Sequence, residues 1–374
     1  MKNYFDYNAT TPVHPEILKK IPEWIHIFGN PSSIHREGRK AHEAIEKARQ
    51  DLLHAFGLKD YDLVFTSGGT ESNHLATSFL FDHKLKKKIL ISSIDHSCIV
   101  NQIPSLRHAG YEVLEIPATI DGIIDLHFIE KFADENTAFL SLLLAGNETG
   151  VIQPVNEVKN ITNKYGIHFH CDAGQVPGKM KLDFSFSPDS ITFSSHKIYG
   201  LKGSGALAFK KRPHPFFYGG DQERGLRPGT ENTLSILSFA MAAQIIMSHE
   251  DKIIAKQLKN RNIIEDALSA FDFVKIHGKN SNRISQTTSV ALHGLPNELL
   301  VIHLDRMGYY VSRGSACHSS SELVSHVLTA MGVHTAEAKS TIRISSGLFT
   351  EESDAEEFAD VLKSTLPGFA KVFL

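Results

Sequence analysis

The stretch "SFSPDSITFSSHKIYGLKGSGALAF", residues 185–209, places a lysine in a setting that invites chemistry. A strand-like run containing Ile191 and Phe193 is followed at once by Ser194, Ser195, His196 and Lys197, and then by Gly200, Gly203 and Gly205. A lone lysine in an arbitrary loop is a solvated charge. A lysine held at the end of a buried strand is desolvated, which lowers its pKa and lets the neutral amine form a Schiff base. Upstream, Asp172 ends the run "IHFHCDA" (167–173). Strand alternation puts His168, His170 and Asp172 on one face, with Phe169 and Cys171 on the other. Two histidines and an aspartate suggest a metal, but positions i, i+2 and i+4 of a strand spread over ~13 Å, too far to share one ion unaided. A buried carboxylate that stays ionised needs a positive partner, and a protonated ring nitrogen is one.

"SGGTES" (67–72) reads either as an anion cradle or as an ordinary strand–turn–helix cap. On the first reading Gly68 and Gly69 let the backbone approach a phosphate, and Thr70 N-caps a helix whose free N–H groups favour negative charge. No G-K-[ST] follows, so it is not a Walker loop. A Schiff-base lysine, a phosphate cradle and a strand-end aspartate together describe a pyridoxal-phosphate site, in which the aspartate keeps the ring an electron sink.

These groups need elements to hold them. Strand-like runs recur at 62–67, 88–93, 137–145, 167–173, 190–195 and 205–209, with helical patterns between several of them, at 38–56 and 155–166. Such alternation predicts an α/β fold with a mostly parallel central sheet flanked by helices. Ligands of open α/β sheets sit outside the carboxyl ends of the strands. The residues standing there are "TSGGTESN", "DHSCIV", "GNETG", Asp172 with Gln175, and "SHK". Their convergence on one sheet edge is a stronger signal than any single motif. A long amphipathic stretch at 235–268 predicts a connecting helix or helix pair. Beyond it, strands at 286–294 and 309–315 and helices at 297–307 and 350–364 predict a smaller α/β domain. The expected division is a large domain over 15–255 and a small one made of 1–14 with 256–374.

The bulk composition excludes several classes. The 374 residues carry a formal net charge of −3, with 41% apolar and 22% charged residues, which gives no electrostatic case for nucleic acid or anionic membrane. No run approaches the ~20 apolar residues of a membrane span, and residues 1–17 show no secretory signal pattern. The three cysteines, Cys98, Cys171 and Cys317, do not make a disulfide framework, so a reducing cytoplasm is the expected home. Cys98 and Cys171 have apolar neighbours and read as core residues. Cys317 lies in "SRGSACHSSSEL", a small, polar, Ser-rich loop.

Asp172-Ala173-Gly174-Gln175 followed by Ser194-Ser195-His196-Lys197 resembles the fold-type I pyridoxal-phosphate enzymes of the class V aminotransferase superfamily. The resemblance is closest to the cysteine desulfurases of the iron–sulfur and nitrogen-fixation type. The blocks "YFDYNATTPVHPEI" (4–17), "FGNPSSIHREGRKA" (28–41), "VFTSGGTESNHLA" (64–76), "GNETGVIQP" (146–154), "HKIYGLKGSGAL" (196–207), "GGDQERGLRPGTEN" (219–232), "RGSAC" (313–317) and "STIRISSG" (340–347) are similar to that branch's blocks, in order. They cover the chain nearly end to end.

The resemblance implies a conversion of L-cysteine to L-alanine, with the sulfur held as a persulfide on Cys317 and passed to an acceptor for iron–sulfur cluster, thio-cofactor or tRNA biosynthesis. It implies that Lys197 carries the Schiff base, that His96 stacks on the cofactor ring and assists proton transfer, and that Asp172 pairs with the ring nitrogen. Asn147 and Gln175 would lie on the phenolic-oxygen side, Asn147 also near the substrate carboxylate. Gly69, Thr70, Ser194 and His196 would hold the phosphate, and Arg343 would clamp the substrate carboxylate through its planar fork. Thr230 would reach the phosphate of the neighbouring subunit of a homodimer. The loop at about 313–325 would carry Cys317 between the cofactor and an outside acceptor. No metal is expected.

Three positions depart from the branch's pattern: Arg313 replaces a usual Ser, and Leu201 and Val324 each replace a usual Pro. The chain also ends soon after "LKSTLPGFAKVFL", without the longer segment that in related housekeeping enzymes helps dock the scaffold. These differences bear on the acceptor rather than on catalysis. The rival readings are another class V enzyme (a selenocysteine lyase, an aminotransferase or a carbon–sulfur lyase) and a sulfur-relay subunit without activity of its own.

Overall fold

A computed structural model describes residues 3–82, 85–314 and 324–373. Seven strands form its main sheet: β1 (Asp62–Thr66), β2 (Lys88–Ser92), β3 (Glu112–Ile116), β4 (Thr137–Leu143), β5 (His168–Asp172), β6 (Ser190–Ser194) and β7 (Gly205–Phe209). Their order is β1-β7-β6-β5-β4-β2-β3. β7 runs antiparallel to both neighbours and every other pairing is parallel. Every residue of β2, β4, β6 and β7 is buried, as expected of strands covered on both faces.

The expected α/β class, with a mostly parallel sheet flanked by helices, is the one observed. β3 is not among the runs read from the sequence. It is an edge strand whose Glu112 and Glu115 face solvent, so it lacks the continuous apolar signature of its neighbours. The stretch at 235–268 is a helix pair, Thr233–Ser248 and Glu250–Leu268, broken at His249. The first of these packs beside the helix Arg36–Ala55 over the sheet.

A second, antiparallel sheet contains β8 (Val274–Ile276), β9 (Thr287–Leu292) and β10 (Thr341–Ser345), in the order β10-β9-β8. Its core is distinct from that of the large sheet and gathers Phe5, Val290, Leu304, Ile342, Phe358 and Leu362. The expected strand at 309–315 is reduced to single bridges: Tyr310 pairs with Tyr4, and Ser312 with Arg343. The N-terminal segment ties the two sheets together. Tyr7 N–H donates to Ser345 O at the end of β10, while Thr11 N–H donates to His196 O just past β6. Among the described residues, no helix is long and apolar enough to cross a membrane.

Candidate active site

The carboxyl ends of β1, β2, β4, β5 and β6 open on a cleft of about 360 Å³. β6 delivers one wall. Past Ser194 the chain makes a tight turn, Ser195–Lys197, which sets His196 and Lys197 on the rim. His196 is anchored by Thr10: its Nδ1 lies 3.0 Å from Thr10 Oγ1, and its carbonyl accepts the Thr11 hydroxyl at 2.9 Å. Burial and the neighbouring Lys197 push the His196 imidazole down to about 4, so it is neutral.

β1 delivers the anion seat. The helix Gly69–Thr77 begins directly after the strand turn, with Gly68 at its N-cap. Thr70 therefore does not cap the helix as the sequence suggested; it lies within the first turn. Glu71 reaches back instead and accepts the Ser67 N–H at 2.7 Å. The first-turn N–H groups of a helix have no intrahelical partner, and here Gly69 and Thr70 line the cleft. Across from them, Ser194 Oγ and Thr192 Oγ1 are buried without a hydrogen-bond partner. Gly205, paired with both Thr66 and Ser194, keeps this seat open. A Cβ there would meet the Gly68 backbone at 2.5 Å.

β5 ends in Asp172, which lines the cleft and is held by two donors. Asn73 Nδ2 donates to Oδ2 at 2.7 Å and Gly174 N–H to Oδ1 at 2.8 Å. His168 and His170 share its face but are taken up by Ser190 and Asn73: Ser190 Oγ lies 2.9 Å from a ring nitrogen of each, and His170 Nε2 lies 3.0 Å from Asn73 Oδ1. β2 leads into Asp95 and His96, and His96 caps the short helix Ser97–Val100. Burial, then the positive Lys197, lower the His96 pKa to about 4.

β10 brings in Arg343, which is 1% exposed yet lines the cleft. Its Nη2 donates to Asp6 Oδ1 at 2.8 Å and its Nη1 to Asn147 O at 3.0 Å, while its Nε is buried with no partner. Asn147, beyond β4, lines the cleft and also accepts on its carbonyl from Asn8 Nδ2 at 3.1 Å.

Of the residues named from the sequence, Gly69, Thr70, His96, Asn147, Asp172, Ser194, His196, Lys197 and Arg343 thus meet around one cleft. Gln175 does not line it. Its amide is committed internally, Nε2 donating to Asn8 O at 2.9 Å and Oε1 accepting from the buried Lys179 at 2.6 Å. Thr230 is exposed and borders a different cleft, with Thr66, Arg227 and Glu231. Cys317 lies outside the described residues.

Cys98 corrects the sequence reading. It is not a core residue like the fully buried Cys171 but lines the cleft beside His96 and Asn73. Burial, then Asp172, raise its thiol pKa to about 12, so it stays protonated. Asn8, Asn73 and Cys98 are the site residues that sequence reasoning left without a role. Their only signal was position, inside or beside the strand-end blocks.

The donor set fits pyridoxal phosphate. It offers an amine at Lys197, a carboxylate at Asp172, a planar ring at His96, and an anion seat made by a helix N-terminus with the partnerless Ser194 hydroxyl.

Comparison with known proteins agrees. The family profile described as Aminotransferase class-V matches residues 3–358. The chain is 36% identical over 368 residues to the cysteine desulfurase IscS of Dictyoglomus turgidum, covering 96% of this chain and 93% of the relative. A solved NifS-like protein superposes with a TM-score of 0.91 at 31% identity, over 98% of this chain and all (100%) of that one. A solved complex of SspA with cysteine gives a TM-score of 0.80 at 32% identity, over 93% and 99% of the two chains. The chain belongs to the class-V aminotransferase family and, within it, to the pyridoxal-phosphate-dependent cysteine desulfurases.

Proposed function

We propose that this desulfurase works through Lys197, His96, Asp172, Arg343 and Cys317, in a cleft completed by a second copy of the chain. The observation that carries the reading is the convergence of Lys197, Asp172, His96 and Arg343, from four strands of two sheets, on one cleft. When bound, pyridoxal phosphate supplies an electron sink next to the substrate Cα. Gly69, Thr70, Ser194 and His196 would seat its phosphate, and Asp172, locked by Asn73 and Gly174, would pair with its ring nitrogen. Lys197 is the amine that holds the cofactor and moves the Cα proton of L-cysteine. The neutral His96, which lines the cleft, would lie against the ring. Arg343, held flat by Asp6 and Asn147 with its Nε unsatisfied, receives the substrate carboxylate. That geometry suits a guanidinium and would not suit an ammonium.

The net reaction balances without an outside reductant. The Cβ–S bond of L-cysteine breaks, a sulfur–sulfur bond to Cys317 forms, and the carbon skeleton takes up a proton and leaves as L-alanine. The thiolate is the nucleophile in such an attack. Cys171 is sealed in the sheet and Cys98 is held protonated, which supports Cys317 as the carrier. The solved relative in complex with cysteine supports the same substrate.

The finer readings belong to the same proposal. Residues 15–255 form the large unit, and 1–14 with 256–374 the small one that carries the Cys317 loop. Thr230 is solvent-exposed in the single chain and away from its own cleft, which supports a homodimer in which it reaches the partner's phosphate seat. The persulfide passes to an acceptor protein in a reducing cytoplasm.

The test is release of alanine and sulfide from L-cysteine with a reductant, for the parent and for Cys317→Ala, with the cofactor absorbance of each recorded. The expected outcome is a variant that keeps its cofactor and stops releasing sulfide. A variant as active as the parent would transfer the assignment to a lyase or an aminotransferase.

A further inference from the structure

The cleft contains a hydrogen-bond chain whose direction is set at one end and read out at the other. Asp172 Oδ2 can only accept, so the group 2.7 Å from it must be the Asn73 amide nitrogen. The same nitrogen's second hydrogen points to Cys98 Sγ at 3.2 Å. Cys98 therefore accepts from Asn73, and its own S–H is left to donate. Its neighbour at 3.0 Å is His96 Nδ1. That nitrogen also receives the Cys98 backbone N–H, at 3.2 Å, as the cap of the helix Ser97–Val100. Two donors aimed at Nδ1 require it to hold a lone pair. The other side of Asn73 agrees. Its Oδ1 then faces His170 Nε2, which must carry the hydrogen, and His170 Nδ1 accepts from the Ser190 hydroxyl. Each donor from the Ser190 hydroxyl through His170, Asn73 and Cys98 to His96 Nδ1 meets an acceptor under this one assignment, and reversing the amide would set its oxygen against the Asp172 carboxylate.

We propose that Asn73 and Cys98 are positioning residues for His96, carrying a fixed hydrogen-bond polarity from Asp172 to the imidazole so that its proton sits on Nε2. A neutral histidine chooses between two tautomers according to the bond its other nitrogen makes. Here the choice is made by the carboxylate that pairs with the cofactor ring nitrogen. The two groups flanking the cofactor are thus coupled through protein before any substrate enters. Cys98 takes part as a neutral S–H donor and not as a second sulfur carrier. The charged and titratable groups around the imidazole are Lys197 from the end of β6, Asp172 from β5, and His326 from the helix His326–Ala330, whose Nε2–H donates to Asp95 O at 2.9 Å. The tautomer follows from these contacts alone. Its use in the reaction rests on the reading of the cleft given above, which loss of activity in His96→Ala tests separately.

The experiment is nitrogen NMR of the holoenzyme labelled with ¹⁵N-histidine, with His96→Gln used to assign the His96 signals. The parent should show a protonated Nε2 and an unprotonated Nδ1 across neutral pH. Cys98→Ala removes one of the two donors to Nδ1 and admits water. The His96 titration should then move up by about one unit, the worth of roughly one hydrogen bond, and the acid limb of the kcat profile should move with it. Cys98→Ser keeps a donor at that position and should restore most of the shift. A parent carrying the proton on Nδ1 overturns the proposal, whatever the variants do. So does a Cys98→Ala enzyme whose His96 titration is unmoved.

Discussion

Asp95→Asn tests the electrostatics of the cleft floor through stability. Asp95 is fully buried beside His96. Its Oδ2 accepts from Ser141 Oγ at 2.7 Å, and its Oδ1 has no partner. Burial, then the nearby Asp172 carboxylate, raise its pKa from 3.8 to about 8. Between those values the folded protein holds a proton that the unfolded chain has released. The contribution of this group to stability is therefore fullest below pH 4 and falls by about 1.4 kcal/mol per pH unit until the folded group ionises near 8. At pH 7 the accumulated loss from this one group is about 4 kcal/mol, and between pH 5 and pH 7 it is about 2–3 kcal/mol.

Asparagine cannot ionise, so the variant lacks this slope. Its amide leaves one buried N–H unpaired, at a cost of about 1–3 kcal/mol at every pH. The variant should therefore be within about 1.5 kcal/mol of the parent at pH 5 and more stable than it at pH 7 to 8. The assay is urea unfolding of both holoenzymes at saturating cofactor, from pH 5 to pH 8. The difference between the two proteins cancels the groups they share. A difference that stays flat with pH would refute the argument, because it would mean that Asp95 is ionised in the folded state or hydrated.

Gly205→Ala should weaken cofactor retention severalfold without changing the fold, because the new Cβ presses on the Gly68 backbone that shapes the anion seat. Titration of the apoprotein with pyridoxal phosphate checks this. Glu223→Ala should cost about 2–3 kcal/mol in urea unfolding, because it removes the buried carboxylate that takes two bonds from the Arg49 guanidinium and one from the Phe65 N–H, leaving that guanidinium to the half-buried Glu46 and to Leu63 O. Arg49 is 4% exposed and makes two 2.8 Å bonds to that carboxylate.

Much of the site was legible because its chemistry is attached to strand ends. β2, β4 and β7 announce themselves as largely apolar runs, since each is covered on both faces, while β5 and β6 alternate polar with apolar residues. The polar residue after such a run must emerge at the sheet edge, so Asp172, His96 and Lys197 could be located before any fold was known. Other features were hidden for identifiable reasons. β3 is an edge strand with an exposed glutamate on each face, so its apolar signal is broken. The run at 309–315 has strand composition, but its described residues, 309–314, find only single-residue partners in Tyr4 and Arg343. Thr70 looks like a cap because threonine is a capping type, but the helix starts one residue earlier, at Gly69. Cys98 has the apolar neighbours of a core cysteine, yet the short helix capped by His96 turns its sulfur into the cleft.

By itself the sequence determined the α/β class, six of the seven strands of the main sheet, the ordered blocks that mark a cysteine desulfurase, and which residue types stand at the ends of those strands. These are local properties: side-chain periodicity, and the identity of the residue where an apolar run stops. Only the tertiary structure decided which of those residues share a cavity and which are spent elsewhere. Arg343 reaches the cleft because Asp6 and Asn147, 337 and 196 residues away in the chain, hold its guanidinium. Gln175 is drawn away by Lys179 and Asn8. The direction of the Asp172–Asn73–Cys98–His96 chain exists only once the end of β5, the helix Gly69–Thr77 and the helix Ser97–Val100 after β2 lie within hydrogen-bond distance. Such contacts depend on where distant segments of the chain meet, and no spacing along the sequence records that.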